Sequence, residues 1–308
     1  MSTEAALIAA CTATPRDSLP RLVYADWLDE RNDPRGEMIR VMEEMRRHPV
    51  WADEYQKLRP ARNRLWKSLD TAWLETMGYQ KVYRPLFGTM PEKREHRWRL
   101  AEEFIDIWHG GLKRGDGYTA EELTAAEERS GCQWPKALRE WYRFGGRRAD
   151  IWSNQDHFRP PDLVRFQDEY GLVFRVENQG CTRWSIRPAD LKRADPPVYG
   201  GEGDRMVADS LSAFALFVLV YESQFRNIWG QLQFADEREE ERLFDRFHWA
   251  HLPWQYWLPN EVRFLEANDT ILMRNMDLWW YTNCRTEAAY QQLVRDFGDR
   301  VERFKPSA

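Results

Sequence analysis

Residues 177–199 read ENQGCTRWSIRPADLKRADPPVY, and this stretch decides the fold. Leading into it, Leu172 to Glu177 alternates apolar and charged residues, the period-two pattern of a half-buried strand. Asn178-Gln179-Gly180 is a turn signal, because glycine and asparagine tolerate positive φ. Cys181 to Ile186 resumes as a second strand carrying Trp184. Asp195-Pro196-Pro197 then imposes an extended exit toward a short strand near Val198, since each proline fixes φ and removes a donor.

Working outward, Leu163 to Gln167 reads as a further strand before this hairpin. Asp209 to Phe225 reads as a helix so apolar, with Leu211, Phe214, Ala215, Val218 and Leu219 aligned, that it must be largely buried. Upstream, Glu102 to Trp108 ends at Gly110-Gly111. Thr119 and Glu122 form a capping box for a helix over 120–130 that Gly131 stops. Pro135 opens another helix through Phe144. Downstream, Val262 to Glu266, Ile271 to Asn275 and Trp279 to Thr282 read as strands, and Thr286 caps a last helix over 287–297. Trp279 and Trp280, adjacent on a strand, must face opposite ways.

The hairpin with its DPPVY exit, together with Trp134-Pro135 and Tyr142 to Gly146, resembles the SUKH superfamily, which includes bacterial toxin-immunity proteins and fungal cell-wall regulators. The resemblance covers about residues 101–306. It departs from the family pattern at Trp134, where leucine is common, and in lacking an asparagine before Gly145-Gly146. It implies a protein-binding module rather than an enzyme, with Glu177, Trp184, Asp195 and Tyr199 as the residues that build or touch the partner site. Glu177 and Asp195 have a second reading, in which they fix the hairpin and its exit.

Residues 3 to about 80 read as helical. Ala6, Leu7 and Ala10 mark the inward face of a first helix. Pro15 and Pro20 precede a second, packed inward through Leu22, Val23, Ala25, Trp27 and Leu28. Asp33-Pro34-Arg35-Gly36 reads as a tight turn, Glu37 to Arg47 as a third helix, and Trp51 to Met77 as a fourth, kinked at Pro60. Leu19 to Arg31 (LPRLVYADWLDER), with Asp33 to Glu37 (DPRGE), resembles a short bacterial domain abundant in planctomycete proteins, over about residues 4–45. That family has no established role, so this resemblance implies position beside other modules and nothing more.

The expectation is therefore an α+β chain. It has a helical module at 1–80, a basic connector at 81–100 (Lys81, Arg84, Lys93, Arg94, Arg97, Arg99) and an α+β domain at 101–308 with a central antiparallel sheet flanked by helices.

The 308 residues are 43% hydrophobic and 31% charged, as in a folded globular protein, and include 16 Trp, 12 Tyr and 15 Phe. A net charge of -5 argues against a general nucleic-acid binder. The longest apolar run, Ala213 to Tyr221, is too short to cross a bilayer, so no membrane partner is expected. Four scattered cysteines form no CxxC pair, and no signal-like segment opens the chain, which points to a reducing cytoplasm.

No cofactor, metal or catalytic constellation is expected. His248 and His251 would share a face on a helix, with Asp245 near, but lack the remaining ligands of a metal site. Asp26, Asp29 and Glu30 read as ion-pair partners of Arg21 and Arg31. Glu237 to Arg242 reads as a solvated charge run. Gly200-Gly201-Glu202-Gly203-Asp204 lacks the spacing of a phosphate loop. Trp184, Tyr199, Trp254, Tyr256, Trp257, Trp279 and Trp280 are aromatics of the kind that anchor interfaces, with most of them read as core and the rest as binding anchors. The function expected is inhibition of a cognate toxin domain by occlusion; a regulatory scaffold that recruits endogenous proteins is the alternative.

Overall fold

The computed structural model describes residues 3–14, 17–79, 86–200, 205–252, 264–267, 269–276 and 278–304. The aromatic run Trp254, Tyr256 and Trp257, the glycine-rich residues 201–204, and Lys81 and Arg84 lie outside them. The chain divides into two compact units, Met1–Arg84 and Pro85–Ala308.

The first unit is helical: α1 (Thr3–Ala13), α2 (Ser18–Asp29), α3 (Arg35–Met45), α4 (Asp53–Ser68) and α5 (Thr71–Thr76). Pro20 does not precede α2 but sits in its first turn, where its missing amide costs no helical bond. Asp17 caps that turn by accepting from the Leu19 amide, 2.9 Å. Arg35 and Gly36 are likewise the start of α3 rather than a turn before it. The stretch 51–77 is two helices, separated where the Asp70 carboxylate caps α5. The inward faces match the expected ones at Ala25 and Leu28 and differ elsewhere. Cys11, Arg21, Tyr24, Ala25 and Leu28 are buried, whereas Ala6, Ala10 and Val23 are exposed.

The polar residues of the LPRLVYADWLDER and DPRGE strings are consumed inside this unit. Buried Arg21 faces Glu43 at 3.5 Å, and Glu43 also accepts from the Ser18 hydroxyl, 2.6 Å. Arg35 pairs with Asp33 (2.6 Å) and Glu4 (2.8 Å), and Tyr24 donates its hydroxyl to Glu4. Arg40 takes Asp26 and Asp29, while Arg31 keeps Glu30. At Gly36 an added Cβ would stand 2.2 Å from Asp29 Oδ1 and 3.1 Å from the Ala25 carbonyl, so glycine lets α3 approach α2.

The second unit is α+β. It opens with α6 (Arg94–Trp108), α7 (Ala120–Ser130), α8 (Lys136–Gly145) and α9 (Ala149–Trp152). The region read as a connector thus ends earlier, because 94–99 are the first turns of α6. The capping box of α7 forms in both directions, and Gly131 ends the helix at φ +73°.

Strands β1 (His157–Phe158), β2 (Arg165–Gln167), β3 (Gly171–Val176), β4 (Arg183–Ile186), β5 (Val198–Gly200) and β6 (Arg205–Ala208) follow, then α10 (Leu211–Ser223). Next come β7 (Ile228–Gln233), α11 (Glu237–Glu241), β8 (His248–Trp249), β9 (Phe264–Ala267), β10 (Thr270–Met276), β11 (Trp279–Cys284), α12 (Glu287–Phe297) and β12 (Val301–Arg303). Among the described residues all pairings are antiparallel, and they build two sheets instead of one. The first runs β1-β3-β4-β5-β6, with β2 beside β1 along the same edge of β3. The second runs β12-β7-β11-β10-β9-β8.

Every residue of α10 is buried. Its Phe214 ring meets Phe174 and Trp184 of the first sheet, and Phe217 meets Phe264 of the second, with ring centroids 5.7–6.3 Å apart. On its other face the second sheet buries Leu232, Leu272 and Trp280 against Leu293 and Phe297 of α12. Trp280 is fully buried and Trp279 half-buried, as their opposite faces require. The charge run 237–242 is not wholly solvated: buried Glu240 accepts from the Trp280 indole, 2.7 Å.

Glu266 on β9 is buried and accepts from the backbone amides of Leu86 and Phe87. Burial outweighs those two amides and pushes its carboxyl up to about 8 from an ordinary 4.5. The folded state therefore holds a proton that the unfolded chain releases between pH 4.5 and 8. The resulting stability is complete below pH 4.5 and declines as pH rises to about 8. Thermal unfolding followed from pH 5 to 8.5 should show this decline, and Glu266→Gln should flatten it. An unchanged slope in the variant would assign the pH dependence elsewhere.

Candidate functional site

The four residues singled out around the hairpin meet different fates. Glu177 locks its own turn: its carboxylate accepts from the amides of Gln179 (2.9 Å) and Cys181 (3.1 Å), and Gly180 takes φ +78°. Asp195 accepts from the Ser212 amide (2.9 Å) and hydroxyl, and Arg97 lies 3.4 Å away, so it closes the N-terminus of α10. Trp184 is fully buried, beneath the Arg175 guanidinium at 5.2 Å and against Phe214. Its burial follows from its facing α10, and of the two expected roles it leaves that of building the sheet from behind. Tyr199 is half-buried on the sheet, donating to Asp190 Oδ2 (3.2 Å) with the Arg187 guanidinium 3.8 Å over its ring. Burial, aided by Asp190, raises its phenol.

Strand register explains the split. Arg165 opposes Val173, Val173 opposes Ser185, Ser185 opposes Tyr199, and Tyr199 opposes Met206. Opposed residues share a face, so this row crosses the outer side of the first sheet. Leu172, Ile186 and Trp184 occupy the inner side, toward α10. Val173 and Ser185 form a buried floor, while Met206 is 59% exposed. Beside the edge strand β6 lies a cleft of about 420 Å³, lined among others by Met90, Arg97, Met206, Asp209 and His251.

Polar clusters elsewhere serve the fold. Buried Glu222, near the end of α10, accepts from the Gln155 (2.6 Å) and Asp156 (3.2 Å) amides, from the Asn154 amide and from Arg175. Arg175 also meets Asp156 at 3.2 Å. Burial raises both carboxyls and Arg175 opposes it.

His109, Ser223, Arg226 and Asp150 superficially resemble a nucleophile–base–acid relay. The polarity is wrong. Arg226 can only donate to His109 Nδ1 (3.0 Å), so the neutral ring carries its proton on Nε2 and donates to the Ser223 hydroxyl at 2.9 Å. That hydroxyl donates onward to the Leu219 carbonyl, 2.7 Å. Burial, then the Arg226 charge, lowers His109 to about 3, so it stays neutral at physiological pH. This ring holds no site that can accept the serine proton.

The pairing imagined for His248 and His251 requires a helix. They lie instead on and just after the two-residue strand β8, where the helical spacing that would put them on one face does not apply. His251 lines the cleft. Among the described residues, no group of three or more His, Cys, Asp or Glu converges as metal ligands, and no helix is long and apolar enough to cross a membrane. Arg94 and Arg97 of the basic stretch are turned to Glu140 and Asp195.

Scans against family models, characterised proteins and solved structures returned no match.

Trp184→Ala should cost about 3–5 kcal/mol, because it empties the space between the first sheet and α10. Tyr199→Ala should stay within about 1 kcal/mol of the parent, since its ring is partly solvated and its hydroxyl bond is at the surface. Urea unfolding of both variants checks this, and equal losses would mean that Tyr199 is a core residue.

Proposed function

We propose that this chain is a protein-binding module of the SUKH type, acting in the cytoplasm by covering a functional surface of a partner such as a toxin domain. The outer face of the first sheet is the surface through which it binds. One observation carries the reading: Tyr199 under Arg187 and the exposed Met206 form an accessible aromatic and apolar strip on a rigid sheet, bordered by charge. The interior polar clusters support it too, because their hydrogen bonds are spent on holding α10 rather than presented to solvent. Asp195 and Glu177 contribute by fixing the backbone on which Tyr199 rides, and Trp184 by supporting the sheet from behind.

The test is affinity purification of the tagged full chain from its native host, with mass spectrometry. One stoichiometric partner is expected, and Tyr199→Ala combined with Met206→Asp should weaken its capture by about tenfold or more while leaving thermal unfolding unchanged. Capture of no protein, or equal capture by the double variant, would overturn the proposal. A diffuse set of endogenous clients would point to a regulatory scaffold.

A further inference from the structure

The same outer face carries three arginines at its β1–β2–β3–β4 end. Arg159 follows β1, and its amide donates to the Phe174 carbonyl, 2.9 Å. Its neighbour Phe158 stacks on Trp141 inside, at 4.5 Å, so Arg159 points the other way. Arg165 heads the row through Val173, Ser185 and Tyr199. Arg183 opposes Val176 and precedes the inward Trp184, so it too is outward.

Among the described residues, none of the three makes an ion pair. Arg159 donates to the Leu163 carbonyl (3.2 Å), Arg165 to the Val164 carbonyl (2.9 Å), and Arg183 lies 5.0 Å over the Tyr170 ring. By contrast Arg139, Arg147 and Arg148 of the same unit are all paired with carboxylates. Burial, with the nearby charges of Arg183 and Arg165, lowers the Arg159 guanidinium. Such a group of like charges is stabilised when an anion joins it.

We propose that Arg159, Arg165 and Arg183 form a docking plate for an acidic polypeptide segment of the partner, whose carboxylates pair with these guanidiniums while its flanks reach Tyr199. The inference rests on the protein-binding reading and adds the partner's chemistry. Charge complementarity selects the occupant. Guanidinium forks match carboxylates in a two-bond geometry. The plate crosses two strand spacings, about 10 Å, within reach of carboxylates two residues apart on an extended chain, about 7 Å. A long phosphate polyanion would meet the repulsion of a chain of net charge -5, whereas a short acidic segment sees mainly the local plate.

The probe is fluorescein-labelled decaglutamate, titrated with the full chain by fluorescence anisotropy at low and moderate salt. The parent is expected to bind it, more weakly as salt rises, and more tightly than a labelled ten-residue oligothymidylate. The triple variant R159Q/R165Q/R183Q should bind at least about tenfold more weakly. R64Q/R303Q, which alters exposed arginines elsewhere, should leave binding unchanged. Should the triple variant lose its cooperative unfolding transition, Arg165→Gln alone, at the most exposed position, should still weaken binding by about twofold or more.

No decaglutamate binding, equal binding by the arginine variants, or preference for the oligonucleotide would each overturn the proposal. Undiminished capture of the native partner by the triple variant would overturn it too, and leave protein binding intact. Arginine-dependent decaglutamate binding without any captured partner would sink the protein-binding reading instead.

Discussion

A helix buried on every side has no water to satisfy its ends, and α10 is such a helix. Its first amides and last carbonyls must find partners inside the protein. Asp195 takes the Ser212 amide, and Arg97 ties Asp195 to Ser210 and Ser212. At the other end the Glu222 carbonyl accepts from the Asn154 side chain (3.0 Å), and the Ser223 carbonyl from that of Asn283. These partners come from α6, the DPPVY exit, the segment after α9 and β11. The helix end groups therefore organise most of the second unit.

The two sheets follow from the same constraint. Packing Phe214 against one sheet and Phe217 against the other gives α10 two apolar neighbours. The first sheet then spends its inner face on the helix, and its outer face carries half-buried Tyr199 and exposed Met206 beside the buried Val173 and Ser185. The hairpin residues divide accordingly: alternation sends Trp184 inward and Tyr199 outward, and the two residues share only their strand context. Carboxylates near this frame are drawn into it. Glu222, Asp156 and Arg175 form a buried group whose value lies in joining the segment 154–156 to the helix and the sheet, because isolated charges there would be costly.

The first unit makes the same use of polar residues at smaller scale. Leu19 to Arg31 and Asp33 to Glu37 contain many charged side chains, which on a sequence invite a reading as a surface. In the structure Arg21 meets Glu43, Arg35 bridges Glu4 and Asp33, and Gly36 permits close helix packing. These residues specify how α1, α2 and α3 fit together. Leu19 and Val23 on α2 remain exposed, because the buried stripe of that helix runs through Arg21, Tyr24, Ala25 and Leu28.

Local patterning was enough for much of the fold. The capping box at Thr119 and Glu122, the stop at Gly131, the hairpin over 172–186, the buried helix near 211–223 and the final helix at 287–297 are all set by interactions within a few residues, so they are legible along the chain. Strand β7 was not, since IWGQLQ lacks clean alternation and its Gly230 is explained only by the Glu302 backbone that approaches it. The candidate site was only partly legible. Tyr199 stood in the DPPVY exit, but the distinction between it and Trp184 depends on which sheet face meets α10, and the roles of Asp195 and Glu222 depend on partners 17 and 66–68 residues away. Arg159 just after β1, Arg165 on β2 and Arg183 on β4 come together only through strand pairing, and no spacing in the sequence announces it. Sequence alone determined where most of the helices and the central hairpin form, because backbone propensity and capping are short-range. Tertiary structure decided which charges are consumed and which stay at the surface, because that depends on contacts between segments distant along the chain.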